Sequence, residues 1–241
     1  MKIWLYFAFF LTTTISHAQQ LALSFDDGVN PDLNKQAVNI NQRILAQLEQ
    51  HQLKSMIYPS VIKIGDYAGL QLVAAWGEQG HQIGNHSELH LNLNKDSVTS
   101  QQYIDGIQRA EHVFQPLKGW TARYRYPFLK EGNTLEKRER VAHYLQQHGY
   151  QSGAVSIDAS DWFYNLKYLS YQKQGKTAQL NQLKQAYIQH LLGRATYYDQ
   201  LATETLGYSP KHVLLLHVNA INAAFLTDVI QAFRVQGWQW I

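Results

Sequence analysis

Two adjacent carboxylates, Asp26-Asp27, and two imidazoles four residues apart, in His86-Ser87-Glu88-Leu89-His90, are the first residues of this chain whose types and spacing could do chemistry. The sequence holds eleven histidines and no cysteine, which excludes thiolate nucleophiles, disulfides and Cys-ligated zinc. Any bound metal therefore falls to His and carboxylate ligands. Two His and one carboxylate hold a divalent ion and leave positions open for water. A His-x-x-x-His spacing on a helical turn aims both rings to one side, and Asp27 is the natural third ligand. Such an ion lowers the pKa of its water toward about 7 and polarises a carbonyl. Adjacent carboxylates can then divide the work, one ligating and its neighbour accepting a proton from the water. Plainer readings stand beside this one. Among eleven histidines a pair at this spacing also arises by chance, and Asp26-Asp27-Gly28 is also an ordinary loop turn.

The elements that must position these residues follow from the apolar pattern. Strands are predicted over 21–25, 55–58, 81–85, 121–126, 150–157, 213–218 and 238–241. Helices are predicted over 34–50, 66–79 (with an Asp cap), 97–114, 134–148, 176–203 and 223–236. Strands alternating with helices imply parallel pairing through crossover helices. Seven strands without an intervening linker or repeat make one barrel-like α/β domain the simplest reading, although an open doubly wound sheet gives the same pattern. The reactive residues fall at or just past strand ends. Asp26 and Asp27 follow the first strand, His86 and His90 the third, Arg125 ends the fourth, Asp158 and Asp161 follow the fifth, and His217 sits in the sixth. In a parallel barrel these ends open on one face, which carries the chemistry. Taken singly, Arg125 could be a helix–sheet ion pair, His217 a satisfied core histidine and Trp162 a core aromatic.

The first residues carry a different signal. Met1-Lys2 precedes an apolar run over 3–11, and Ser16-His17-Ala18 has the small residues that a signal peptidase reads. The expected division is a leader over 1–18 and a single catalytic domain over 19–241, exported to the periplasm or secreted. The run is shorter than the about 20 residues of a membrane span, so no stable membrane anchor is expected after cleavage. A formal charge of +3 without a dense Lys/Arg run argues against a nucleic-acid partner. The 45% hydrophobic content suffices for a sizeable core.

Five motifs stand in order: Ser24-Phe25-Asp26-Asp27-Gly28, His86-Ser87-Glu88-Leu89-His90, Arg125-Tyr126-Pro127-Phe128, Asp158-Ala159-Ser160-Asp161-Trp162 and Leu214-Leu215-Leu216-His217. Together they resemble the motifs of the NodB-type polysaccharide deacetylases, carbohydrate esterase family 4, across the chain from Leu21 onward. The resemblance implies a distorted (β/α) barrel with about seven parallel strands. It implies Asp26 as catalytic base, Asp27, His86 and His90 as ligands of one divalent ion, and His217 as the general acid. Arg125 would orient the base, and Asp161 would pair with Arg125 or with His217. Phe128, following Pro127, would offer its backbone N–H to the oxyanion, and Trp162 and Leu215 would line the acetyl-methyl pocket. The implied ion is zinc, with cobalt, nickel or manganese compatible with the same ligands. The implied reaction is attack of metal-activated water on an N-acetyl group of an N-acetylglucosamine-containing glycan. The alternatives are an O-acetyl esterase acting on a polymer such as xylan, and a glycan-binding protein of the cell envelope without turnover. Against the latter, ligands, base and acid are all present.

Two departures from the family pattern stand out. Leu129-Lys130-Glu131-Gly132 replaces the glycine expected after Phe128. The stretch 163–212 is long for a crossover and carries Tyr187, His190, Leu191, Arg194 and Tyr198 near helical spacing, with Tyr197 alongside. It reads either as a packing helix or as a groove wall whose Tyr197 and Tyr198 stack on sugar rings.

Overall fold

Two long apolar runs set the middle of the sheet. In the computed structural model, which describes residues 19–241, β1 (Gln20–Asp27) lies parallel to β7 (Lys211–His217), in a register running from Gln20 opposite Lys211 to Asp26 opposite His217. The leader expected over 1–18 lies outside the described residues. On β1, Leu21, Leu23 and Phe25 join the core under the helices, while Ala22, Ser24 and Asp26 alternate with them toward the barrel interior. This period of two decides which of the paired aspartates points inward.

The other strands are β2 (Met56–Pro59), β3 (Gln82–Asn85), β4 (Trp120–Tyr124), β5 (Gln151–Ser152), β6 (Ile157–Asp158) and β8 (Gln239–Trp240). Their order is β5-β4-β3-β2-β1-β7-β6, with β8 beside the start of β1, and every pairing is parallel. The sheet curls into an incomplete barrel, as the seven-strand expectation required. The strand expected over 150–157 is divided, however. Its two halves, β5 and β6, form opposite edges of the sheet. The chain crosses between them at Gly153, whose N–H donates to Tyr124 O at 2.7 Å, before Ser156 N reaches Val213 O at 3.3 Å. A Cβ at position 153 would stand 2.8 Å from both Tyr124 O and the Tyr58 ring, so only glycine fits this crossing.

Helices α1 (Ala37–Gln50), α3 (Tyr67–Glu78), α4 (Ser100–Phe114), α5 (Leu135–Gln147) and α8 (Ala220–Val235) cover the sheet, and a short α2 (Val61–Ile64) follows β2. Four of these starts, those of α3, α4, α5 and α8, carry side-chain caps. Asp66 accepts from Ala68 N, and Thr99 forms a reciprocal box with Gln102, each cap stabilising by about 1 kcal/mol. Ile44, Leu48, Trp76, Leu226 and Phe233 close over Leu21, Leu23 and Phe25, each contributing about 1.5–3 kcal/mol on burial. Between β6 and β7 the chain forms two helices where one was expected: α6 (Asp161–Lys173) and α7 (Thr177–Leu206), joined at Gly175. The sequence pattern hides α6 because Trp162, Phe163, Leu166 and Leu169 are all exposed, which blurs the apolar stripe.

Candidate active site

Asp26 is buried at the end of β1, and the residues around it are fixed by neighbouring strands. Arg125, immediately after β4, donates from Nη1 to Asp26 Oδ1 at 3.0 Å and from Nη2 to Ser24 Oγ at 3.1 Å, while Nε donates to Gly153 O. The Tyr58 ring lies 4.3 Å from its guanidinium carbon. A buried arginine so surrounded can turn only as far as its four partners allow, and Asp26 is held with it. Ser24 and Tyr58 are absent from the expected site. Ser24 sits two residues before Asp26 on the same strand face, a signal the sequence does contain.

On one side of Asp26 lie Asp27, His86 and His90, whose candidate ligand atoms all fall within 4.8 Å of one another. His86 Nε2 stands 3.6 Å from Asp26 Oδ2 and 3.9 Å from Asp27 Oδ1, and His90 Nε2 stands 3.1 Å from Asp27 Oδ1. His86 Nδ1 lies 2.7 Å from Arg125 O. Donation to that carbonyl fixes the tautomer and leaves the Nε2 lone pair facing the cluster. Burial lowers His86 to about 4 against the pull of Asp26 and Asp27, so the ring is neutral. Burial pushes the Asp27 carboxyl up, but the close His90 contact and the surrounding imidazoles outweigh it and hold it well below the usual carboxylate range. Asp27 Oδ1 is nevertheless buried without a formed hydrogen bond. An orphaned carboxylate oxygen faced by two imidazole nitrogens is a donor set that fits a divalent ion of zinc type.

The two histidines do not share a helical turn, as their spacing predicted. Residues 86–90 form an irregular loop with φ of 68° at Ser87 and 51° at His90. Buried Asn85 shapes it, accepting from Ser87 N at 2.8 Å and donating to Ile107 O and Tyr150 Oη. Of the seven non-glycine residues with positive φ among the described residues, six stand in or beside this site: Asp27, Ser87, His90, Phe128, Leu129 and Ser160. Each such conformation costs about 1–3 kcal/mol, and such strain concentrates where geometry serves a function.

On the other side of Asp26 stands His217, its Nδ1 2.6 Å from Asp161 Oδ1. Asp161 therefore pairs with this histidine, and Arg125 pairs with Asp26. Asp161 Oδ2 accepts from His217 N at 2.9 Å, Asn219 Nδ2 at 2.9 Å and Asn222 Nδ2 at 2.6 Å, and Tyr187 Oη donates to Asn222 Oδ1 at 2.6 Å. Burial opposes the His217 charge, but Asp161 outweighs it and raises the imidazole to about 10. The same partnership lowers the fully buried Asp161. Asn219 and Asn222 escape sequence reasoning because Asn219 reads simply as the cap of α8, which it also is.

A cavity of about 580 Å³ opens over these groups. Phe128, Trp162 and Leu215 line it, with Asp158, Lys63 and Lys130 at its walls. Lys63 Nζ lies 3.4 Å from Asp27 Oδ2, a cation that no sequence pattern announces. Phe128 (φ 59°) sets its ring edge-on to His90, with centroids 4.6 Å apart, and Pro127 before it is buried. Tyr197 and Tyr198 lie outside the cavity lining on α7, where Arg194 packs over both rings and donates to Asp158 O at 3.3 Å.

The polysaccharide deacetylase family profile matches residues 15–153. The chain belongs to the polysaccharide deacetylase family. It is 30% identical over 146 residues to a peptidoglycan-N-acetylglucosamine deacetylase of Bacillus cereus, an alignment covering 59% of this chain and 46% of that one. The chain thus spans about half the length of this curated relative. Among solved structures it is similar to a carbohydrate esterase family 4 esterase of Streptococcus mutans (TM-score 0.64, 20% identity, 92% and 85% of the chains covered). It is equally similar to a family pseudoenzyme of Bacillus anthracis (TM-score 0.64, 14% identity, 92% and 63% covered). These likenesses carry the polysaccharide deacetylase architecture, and a pseudoenzyme among them leaves activity to be argued from the site. The family profile ends before Asp161 and His217, so those two residues rest on their geometry.

Proposed function

We propose that this polysaccharide deacetylase hydrolyses N-acetyl groups of an N-acetylglucosamine-containing poly- or oligosaccharide. The observation that carries the reading is Asp26, held by Arg125 between the Asp27, His86 and His90 cluster and an imidazole paired with buried Asp161. A divalent ion bound by Asp27, His86 and His90, zinc by ligand type, supplies Lewis-acid activation of water and of the acetyl oxygen when present. Asp26 accepts the proton of the attacking water, and Arg125 keeps that carboxylate aimed and unable to swing away. The backbone N–H of Phe128 stabilises the oxyanion as the tetrahedral carbon forms. His217 donates its Nε2 proton to the departing sugar nitrogen as the C–N bond breaks, and Asp161 stabilises the imidazolium before that transfer. Acetate and a free sugar amine result.

Trp162 and Leu215 bound the acetyl methyl group in this reading. The substrate class is supported by the name of the Bacillus cereus relative, and the export by the leader-like residues 1–18. Among the described residues no helix is long and apolar enough to cross a membrane. Acetate release from N-acetylglucosamine oligomers and from acetylated xylan, with and without chelator, tests the proposal. Chelator-sensitive release from the oligomers is expected. Release from xylan alone makes the protein an O-acetyl esterase, and release from neither makes it a binding protein.

A further inference from the structure

The inward face of β1 carries Ala22, Ser24 and Asp26, and only Asp26 opens on the active site. Ala22 and Ser24 face a second cavity of about 410 Å³ at the opposite end of the barrel, where β2, β3 and β7 begin. Its volume falls in the range of small-molecule sites, roughly 300–1,000 Å³. Among the described residues, Lys54 and Arg123 line it and no acidic side chain does. Ser55 is only 8% exposed, and its Oγ is buried with no hydrogen-bond partner among the described residues. Arg123 Nε is also buried and unpartnered, although its Nη2 donates to Gln151 Oε1 at 2.7 Å. Lys54 Nζ makes one bond, to Gln79 O at 2.6 Å, and keeps donors to spare. The facing wall is apolar, with Met56, Val213 and Ile241.

Unpaired buried donors are uncommon in folded proteins and call for an acceptor. Here hydroxyl, guanidinium and ammonium donors share one cavity with an apolar wall, which matches an anion carrying an apolar body. A guanidinium pairs with a planar carboxylate through two parallel hydrogen bonds, and a multiply charged phosphate would gain nothing from the apolar side. We propose that this basal cavity binds a small carboxylate with an aliphatic body, the carboxylate accepting from Arg123, Lys54 and Ser55 and the chain lying against Met56 and Val213. The site is separate from the substrate cavity. Ser24, Tyr58 and Gly153 line its inner wall, and these are the groups that hold Arg125 from below.

Octanoate is a suitable probe. Isothermal titration of octanoate into the metal-loaded protein should give saturable one-to-one binding. Affinity should fall about tenfold or more in Arg123→Gln and in Lys54→Gln. Lys54 is exposed, so the second variant keeps the test usable if the first fails to fold. Octanol should bind far more weakly than octanoate, and inorganic phosphate should not displace it. Absence of saturable binding overturns the proposal, as does unchanged affinity in the folded variants. Equal binding of octanol, or displacement by phosphate, overturns the assigned ligand class.

Discussion

The two flanks of Asp26 solve opposite problems. On the Asp27 side, a buried carboxylate oxygen has no hydrogen bond while two imidazole nitrogens converge on it within 4.8 Å. On the His217 side, Asp161 accepts four hydrogen bonds, two from His217 and one each from Asn219 and Asn222. The first flank is strained, with positive φ at Asp27, Ser87 and His90. The second is fully hydrogen-bonded, built on the end of β7 and the cap of α8, with one positive φ at Ser160. The contrast fits the proposed division of work, with a cation-binding group and a proton-donating group side by side at one barrel mouth. In the proposed reading, the carboxylate with an unbonded oxygen holds the ion, and the fully hydrogen-bonded one orients the imidazole.

Four perturbations separate the flanks. The largest effect is expected from metal removal. Chelation should lower acetate release by about three orders of magnitude or more, with recovery on adding zinc. Thermal unfolding should rise with zinc by the amount ligand linkage gives, about 2.7 kcal/mol at a hundredfold excess over Kd. Next, Asp161→Asn should reduce kcat roughly a hundredfold or more and move the alkaline limb of the rate profile to lower pH, because the strongest group opposing burial at His217 is then gone, leaving only Asp26 and Asp27. The raised His217 pKa has a stability counterpart. Its contribution is fully present below the ordinary value of 6.5 and is lost as pH rises through about 10. Urea unfolding followed across that window should decline for the native chain and lose most of that slope in Asp161→Asn. Asn222→Ala should cost about tenfold in kcat while leaving zinc affinity unchanged in a binding titration. The smallest effect is expected at Tyr197, whose ring is half exposed beside Arg194. If it stacks on distal sugars, Tyr197→Ala raises KM about two- to threefold for long oligomers and leaves kcat alone. An unchanged KM assigns α7 to packing only.

Much of this site is legible in the sequence because its residues sit at strand ends. Asp26 and His217 end apolar runs, His86 and Arg125 directly follow β3 and β4, and parallel pairing brings those ends together. Legibility stops where tertiary structure takes over. The spacing of His86 and His90 suggests a helical turn, yet Asn85 pulls the loop into positive φ through contacts with α4 and Tyr150. The strand over 150–157 looks continuous because nothing local marks Gly153 as a crossing point between β4 and β7. Helix α6 hides behind its own exposed apolar residues. Lys63 reaches Asp27 only through the fold, from a four-residue helix with no sequence signature.

The central claim is that adjacent aspartates do different work, Asp26 on the proton and Asp27 on the ion. Zinc content and acetate release, measured together on Asp26→Asn and Asp27→Asn, test it most directly. Both variants should lose turnover on an N-acetylglucosamine oligomer, while Asp26→Asn keeps one zinc per chain and Asp27→Asn loses it. Turnover surviving in Asp26→Asn, or full zinc retained by Asp27→Asn, would contradict the account.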